Sequence, residues 1–151
     1  MEKIQEFDKL KTKVLKYILY KKRTEQEIRK KFENEIEENI LEDIIEYLKQ
    51  ANYINDNEYI TKTINDFKLL KNLSIKEVTY KLLNKGINKN ELETYMYENK
   101  EKMEEYEITS ISNIIYKKRN IMDKETIINY LTKKGYKYDN IKKVLEGTFE
   151  E

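Results

Sequence analysis

The sequence contains no cysteine, no histidine and no proline, and only three of its 151 residues are glycine. Without cysteine the chain has no disulfide, no thiolate nucleophile and no cysteine-ligated zinc. Without histidine it lacks the residue that most often serves as a base near neutral pH and as a metal ligand. Without proline, nothing interrupts a long helix. Because the sequence also lacks a glycine-rich phosphate loop, a catalytic triad and a calcium-loop spacing, we predict neither an enzyme nor a cofactor.

Long hydrophobic runs are missing as well. No run of about 18 apolar residues exists, so we predict no membrane span. The first residues, MEKIQEFDKL, lack the apolar centre of a secretory signal, and we therefore expect a cytoplasmic protein. The 30 basic and 29 acidic residues give a net charge of +1, which leaves only local patches for binding a polyanion. The chain does contain 38% hydrophobic and 11% aromatic residues, enough to form a core.

Two of the three glycines lie in similar segments, NKGINKN and KKGYKYD. Around them, VTYKLLNKGINKNELETYM at 78–96 aligns without a gap to IINYLTKKGYKYDNIKKVL at 127–145. Apolar residues recur three or four positions apart on both sides of the glycine, which is the spacing of one helix face. Because glycine adopts the left-handed conformation without steric cost, we predict that Gly86 and Gly135 each end one helix and let the chain reverse into the next.

Helix starts recur at the same spacing. Thr24, Ser74 and Asp123 lie 50 and 49 residues apart, and each precedes an apolar periodic run. All three are favoured N-cap residues. The segments TEQE and SIKE also fit the capping box, in which the glutamate reaches back to the N–H of the cap residue. The first of the three turns has no glycine, and there we expect Asn34 to take the left-handed conformation.

These patterns predict an all-α fold, an elongated, curved array of three tandem three-helix repeats of about 50 residues each. One such repeat buries too little surface to be comfortably stable alone, and stacking would bury a shared face and leave a long surface for a large partner. We place the repeats at residues 1–52, 53–103 and 104–151. The predicted helices lie near 7–22, 25–34, 37–50, 56–72, 75–85, 89–103, 106–119, 124–134 and 138–148.

Basic residues cluster at the ends of the first helices and around the turns into the second helices, whereas residues 33–46 hold seven acids and no base. If the repeats stack in register, these clusters form a discontinuous basic stripe. The alternative is that lysine and arginine complement the dipole at helix C-termini. The candidates for contact with a protein or DNA partner are Lys21, Lys22, Arg23, Arg29, Lys30, Lys68, Lys71, Lys81, Lys85, Lys117, Lys118, Arg119, Lys133 and Lys134.

Four segments of the chain, taken together in their order and spacing, match a pattern known from a protein family. They are TEQEIRKKF, IIEYLKQANYINDNEYITKTINDF, SIKEVTYKLLNKGINKNEL and YLTKKGYKYDNIKKVL. In this pattern, which spans about residues 14–145, the sequence resembles the bacterial recombination regulator family RecX. Asp56, Glu58 and Tyr59 match the turn and the acidic–aromatic pair that open a helix in the family. The sequence departs from the family pattern in two ways. Its first turn lacks the glycine, and its net charge is close to neutral, which disfavours DNA binding.

The resemblance implies a monomeric, non-catalytic protein that binds the recombinase RecA or the RecA–DNA filament. Family members lodge in the filament groove and restrain ATP hydrolysis, strand exchange and stimulated repressor cleavage, and some also bind DNA. Two alternatives stay open. One is a direct DNA-binding protein that stacks bases on Tyr116, Tyr136 or Tyr138, unless these tyrosines pack between helices. The other is a helical scaffold for a different protein partner.

Overall fold

The computed structural model describes residues 2–70 and 72–149, and every regular element in those ranges is an α-helix. This confirms the all-α prediction. None of the described helices is both long and apolar enough to cross a membrane. The helices are α1 (Glu2–Tyr20), α2 (Glu25–Phe32), α3 (Glu38–Gln50), α4 (Asp56–Leu70), α5 (Ile75–Asn84), α6 (Lys89–Glu98), α7 (Lys100–Lys118), α8 (Lys124–Lys134) and α9 (Tyr138–Phe149).

Helix α3 illustrates how the sequence pattern produces these elements. Its buried residues are Leu41, Ile44, Ile45 and Leu48, at the i, i+3, i+4 and i+7 positions of one helix face. The acidic and amide residues between them point the other way. The helix is therefore amphipathic, and burial of its apolar face, rather than helix propensity alone, stabilises it.

One predicted helix is shorter than expected. We predicted a single helix over 89–103, but α6 ends at Glu98 and α7 begins at Lys100. The break falls at Asn99, whose side-chain amide donates to the carbonyl of Tyr95 at 2.9 Å. Asparagine competes in this way for backbone groups that a continuous helix would use. Helix α7 consequently runs through the limit that we placed between the second and third predicted repeats.

The prediction for Asn34 is wrong. Among the described non-glycine residues, only Asn52 has a positive φ, at 63°. After α2 the chain continues in a right-handed turn, with Glu33 at φ −58° and ψ −31°. The N–H of Glu35 then donates to the carbonyl of Phe32 at 3.0 Å. This tight turn reverses the chain without a left-handed residue, which is why it needs no glycine.

The chain forms two compact units. Unit 1 comprises Met1–Thr61 and Leu83–Asn88, and unit 2 comprises Lys62–Leu82 and Lys89–Glu151. One core cluster lies in unit 1 and is built from Val14, Ile18, Ile28, Phe32, Ile36, Leu41, Ile44, Ile45, Leu48 and Ile54. Another lies in unit 2 and is built from Ile111, Ile114, Ile115, Ile127, Leu131, Tyr136, Ile141, Val144 and Leu145.

Candidate partner-binding surface

In unit 1, Thr24 connects the start of α2 to the end of α5. Its hydroxyl accepts from the N–H of Glu27 at 3.1 Å, and the Glu27 carboxylate accepts from the N–H of Thr24 at 3.0 Å. The same hydroxyl donates to the carbonyl of Lys85 at 2.7 Å. Gly86 follows with φ +92°, and a Cβ there would lie 2.6 Å from the Cβ of Gln26. Glycine is needed at 86 for its backbone conformation and also for this close approach.

Unit 2 repeats the arrangement with Ser74. Its hydroxyl accepts from the N–H of Glu77 at 3.1 Å and donates to the carbonyl of Lys134 at 2.7 Å. Gly135 has φ +97°, and a Cβ there would lie 3.0 Å from the Cβ of Lys76. Because Ser74 is fully buried, both hydrogen bonds form away from water, where an unpaired polar group is costly.

Asp123 caps α8 differently. Its carboxylate is exposed and accepts from the N–H of Thr126 at 2.8 Å. Hydrogen bonding with Thr126 holds the pKa of Asp123 below its usual value. A carboxylate only accepts hydrogen bonds, whereas a hydroxyl donates and accepts at once. An aspartate is therefore suitable at 123, while the buried position 74 requires a hydroxyl.

Replacing Ser74 by alanine is expected to lower the free energy of unfolding by about 1–2 kcal/mol, because the N-cap bond is lost and the Lys134 carbonyl is left unpaired. Ser74→Thr keeps the hydroxyl and should be nearly neutral. Asp123→Ser, at the exposed cap, should also change stability little. Urea unfolding curves of the three variants measure these effects, and equal losses in all three would contradict the role given to the buried hydroxyl.

A buried carboxylate in unit 2 holds two helix starts together. Glu107 is 1% exposed. Its Oε2 accepts from the N–H of Ile75 at 3.1 Å, and its Oε1 accepts from the N–H of Lys137 at 2.7 Å. The side-chain amide of Asn140 also donates to Oε1, at 3.2 Å. Because α5 begins at Ile75 and α9 just after Lys137, Glu107 satisfies N–H groups that a helix start leaves without a partner.

Asp56 and Tyr59 lie at the start of α4 in unit 1. The carboxylate of Asp56 accepts from the N–H of Glu25, the first residue of α2, at 3.0 Å. Burial raises the pKa of Asp56, although the Glu25 N–H opposes this shift. Burial also raises the pKa of Tyr59, and the nearby Glu27 carboxylate adds to the effect. Both residues thus pack close to the start of α2.

The candidate cations differ in how accessible they are. Lys71 lies outside the described residues. The exposed candidates are Lys21, Lys22, Lys30, Lys68, Lys81, Lys85, Lys117, Arg119 and Lys133. The partly buried candidates are Arg23, Arg29, Lys118 and Lys134.

Arg29 is engaged within unit 1. Its Nη1 and Nη2 donate to the two carboxylate oxygens of Glu42 at 2.6 and 2.9 Å, and its Nε donates to Glu25 at 3.0 Å. Glu25 also pairs with Lys49. Burial alone would raise the pKa of Glu25, but its bonds to Lys49 and Arg29 lower it. As a partner contact Arg29 stays a prediction, and a partner would have to compete with two carboxylates.

Basic and aromatic side chains meet in unit 2. The ammonium of Lys118 lies 4.5 Å from the centroid of the Tyr130 ring, and that of Lys134 lies 5.8 Å from it. The guanidinium of Arg119 lies 4.7 Å from the ring of Tyr116, which is 69% exposed. Sequence reasoning missed Tyr130, although its position four residues before Lys134 places both on one helix face.

The tyrosines proposed for base stacking do not all reach the surface. Tyr136 is 4% exposed, and its hydroxyl is hydrogen-bonded to that of Ser110. Tyr116 and Tyr138 are 69% and 65% exposed. Tyr136 therefore packs between helices, and only the other two present a ring that a base could stack on.

Arg23 is held against an aromatic ring in unit 1. Its guanidinium carbon lies 4.2 Å from the centroid of the Tyr17 ring. Tyr17 in turn contacts Phe32 edge-on, with the ring centroids 5.5 Å apart and the planes at 90°. Phe32 is only 2% exposed, so the core fixes the position of Tyr17. We call Tyr17, Arg23 and Phe32 the Arg23 stack.

No protein-family model matches the chain. The curated relatives reported below nevertheless carry the same name. Regulatory protein RecX of Clostridioides difficile (strain 630) is 29% identical over 141 residues, 91% of this chain and 66% of the relative. Regulatory protein RecX of Streptococcus pneumoniae (strain Hungary19A-6) is 32% identical over 157 residues, 94% of this chain and 57% of the relative. The chain thus spans less than two thirds of the length of these curated relatives.

Solved structures show the same fold. The crystal structure of RecX from Lactobacillus salivarius superimposes with a TM-score of 0.76 at 23% identity, over 95% of this chain and 97% of the other. A second crystal structure of regulatory protein RecX superimposes with a TM-score of 0.73 at 20% identity, over 93% of this chain and 73% of the other.

Proposed function

Because the chain belongs to the RecX family, as its sequence pattern indicated, we propose that it regulates the recombinase RecA by binding to RecA or to the RecA–DNA filament. The supporting observation is the likeness to proteins named regulatory protein RecX over 91% and 94% of the chain. Those relatives are named as regulators rather than as enzymes. The proposed action is inhibition of RecA's ATP hydrolysis, strand exchange and coprotease activity.

In the proposed mechanism the chain acts by binding to the filament and catalyses no reaction. Exposed lysines on both units, and the exposed Arg119 on unit 2, offer charged contacts to a nucleoprotein filament, which is itself polyanionic. A chain that contacts neighbouring RecA subunits would resist the subunit motions that accompany ATP turnover. It would also block the access of a second DNA strand. Either effect lowers activity in proportion to the occupancy of the filament.

The test is ATP hydrolysis by RecA filaments preassembled on single-stranded DNA and titrated with the chain. We expect inhibition at chain concentrations below that of RecA. Reversing two exposed candidates, Lys117→Glu with Arg119→Glu, should raise the half-inhibitory concentration about 10-fold, because opposite charges at an interface slow association and cost affinity. Circular dichroism checks that the variant remains helical.

The matched control reverses two exposed lysines that are not candidates, Lys89→Glu with Lys102→Glu. This variant has the same net charge and should inhibit like the unmodified chain. An equal loss in both double variants would mean that total charge, not a particular surface, governs inhibition. No inhibition even with the chain in excess would remove the RecA proposal and leave the fold unaffected.

A second candidate function is direct binding of single-stranded DNA. The observation that favours it is the exposed ring of Tyr116 with the Arg119 guanidinium 4.7 Å from its centroid, since aromatic rings and cations together hold unpaired bases and phosphates. The net charge of +1 disfavours it. Phosphate binding weakens steeply with salt, so a chain that retains no labelled single-stranded DNA at low salt, without RecA, excludes this candidate.

A further inference from the structure

Arg23 occupies a position at which the repeat pattern has an apolar residue. The residues before the equivalent caps are Leu73 and Met122. These two and Arg23 are all partly buried. Placing a guanidinium where leucine or methionine would pack costs free energy of desolvation. Departures from a local rule are expected at functional positions, so Arg23 is a candidate for a role beyond packing on the ring of Tyr17.

The guanidinium of Arg23 donates no hydrogen bond within the described residues. Within the described residues it forms no ion pair, and its buried Nε has no hydrogen-bond partner. Its contact is the face of the Tyr17 ring at 4.2 Å. The other two arginines differ, because Arg29 is taken by two carboxylates and Arg119 lies on a largely exposed ring. Of the three arginines, only Arg23 is both packed on a core-anchored ring and without a hydrogen-bond acceptor among the described residues.

The surroundings of the Arg23 stack are basic, but they are not uniformly so. Lys21 and Lys22 are exposed beside it, and the ammonium of Lys31 lies 5.9 Å from the Tyr17 ring. Two carboxylates lie nearby and are engaged. Glu58 pairs with Lys22 at 3.8 Å, and Glu27 accepts from the N–H of Thr24. The stack therefore attracts an anion, although acids interrupt the basic surface.

A guanidinium is planar and presents its N–H groups in one plane, which suits a two-oxygen ligand. Phosphate backbones are bound by many cations acting together, and this interrupted surface supplies few. A single carboxylate needs only one well-oriented guanidinium. We propose that Arg23, supported by Tyr17, binds an aspartate or glutamate side chain on the surface of RecA. The proposal rests on the function proposed above.

The test compares the binding of fluorescently labelled variants to RecA filaments on single-stranded DNA, held by a slowly hydrolysed ATP analogue. Arg23→Lys keeps the charge and loses the planar fork. Arg23→Leu restores the apolar residue of the repeat pattern. Both should bind about 10- to 100-fold more weakly, the range expected for charged hydrogen bonds. Lys16→Gln removes an exposed charge beside Tyr17 in the sequence, from a lysine that is not a candidate contact, and should bind within about 3-fold of the unmodified chain.

A purely structural role for Arg23 would show itself differently. Thermal unfolding of Arg23→Leu should occur at an unchanged or higher Tm, because removing a partly buried charge and packing a leucine, as at the partly buried Leu73, offset the lost contact with the Tyr17 ring. Weak binding together with a retained Tm assigns Arg23 to the interface. Weak binding together with a clearly lower Tm would overturn that assignment.

The remaining outcomes separate this inference from the proposed function. If the unmodified chain binds filaments and both Arg23 variants bind equally well, the inference fails and the function stands. If Arg23→Lys binds fully while Arg23→Leu does not, a positive charge is sufficient. The proposal that the planar guanidinium is required would then be wrong. If the two Arg23 variants, but not the lysine control, lose affinity for naked single-stranded DNA by the same factor as for the filament, the ligand is a phosphate and the proposed carboxylate is wrong. If the unmodified chain binds no RecA filament, both proposals fall.

Discussion

Replacing Glu107 by alanine is expected to lower the free energy of unfolding by about 3–5 kcal/mol, since each buried donor left unpaired costs about 1–3 kcal/mol. The substitution removes the acceptor for the N–H groups of Ile75 and Lys137 and for the amide of Asn140. Water cannot readily replace the lost carboxylate, because Glu107 is 1% exposed. The starts of α5 and α9 would both lose a partner.

Glu107→Gln tests the same idea with little change in shape. A glutamine has one accepting oxygen and one NH₂ donor, so in either orientation the NH₂ faces a donor that the carboxylate now satisfies. We expect a loss of about 1–3 kcal/mol. The control is Glu105→Ala, which removes an exposed carboxylate from the same helix and should change stability little. Guanidinium unfolding measures all three, and a neutral Glu107→Gln would contradict the role given to the buried carboxylate.

Replacing Gly86 by alanine is expected to lower the free energy of unfolding by about 2–4 kcal/mol. A left-handed backbone costs a residue with a Cβ about 1–2 kcal/mol. The new methyl group would also lie 2.6 Å from the Cβ of Gln26, close to the α2 backbone, and relieving such an overlap costs about 1–3 kcal/mol. Thr24 would then be pushed away from the carbonyl of Lys85.

The chain contains its own control in Gly147. This glycine lies in α9, and apart from its chain neighbours and the nearby backbone of its own helix, no described heavy atom lies within 4 Å of the position that an added methyl group would take. Gly147→Ala should therefore stabilise the protein slightly, because alanine loses less backbone entropy in a helix. Gly86→Asn should fall between the two, since asparagine tolerates the left-handed conformation but still carries a Cβ. Thermal unfolding of the three variants tests the order, and a shift of the same sign for both alanine variants would contradict it.

Much of the local structure could be predicted from the sequence. Apolar residues three and four apart indicate the helices, and Thr24, Ser74 and Asp123 each precede a helix that begins at the next residue. These features depend on interactions within a few residues, such as the bonds from Thr24 to Glu27. Patterns in the sequence record such short-range interactions directly. The prediction for Asn34 was wrong, because the turn after α2 reverses the chain through right-handed residues.

The tertiary structure alone decided which groups meet and which cations remain free. The partners of Thr24 and Ser74 are 61 and 60 residues away in the chain, so their caps could be predicted but not their second bonds. Arg23 and Arg29 look alike in the sequence. In the structure one lies on the ring of Tyr17 with unused donors and the other is held by Glu25 and Glu42. The reason is physical: helix formation depends on neighbours in sequence, whereas the availability of a charge depends on neighbours in space.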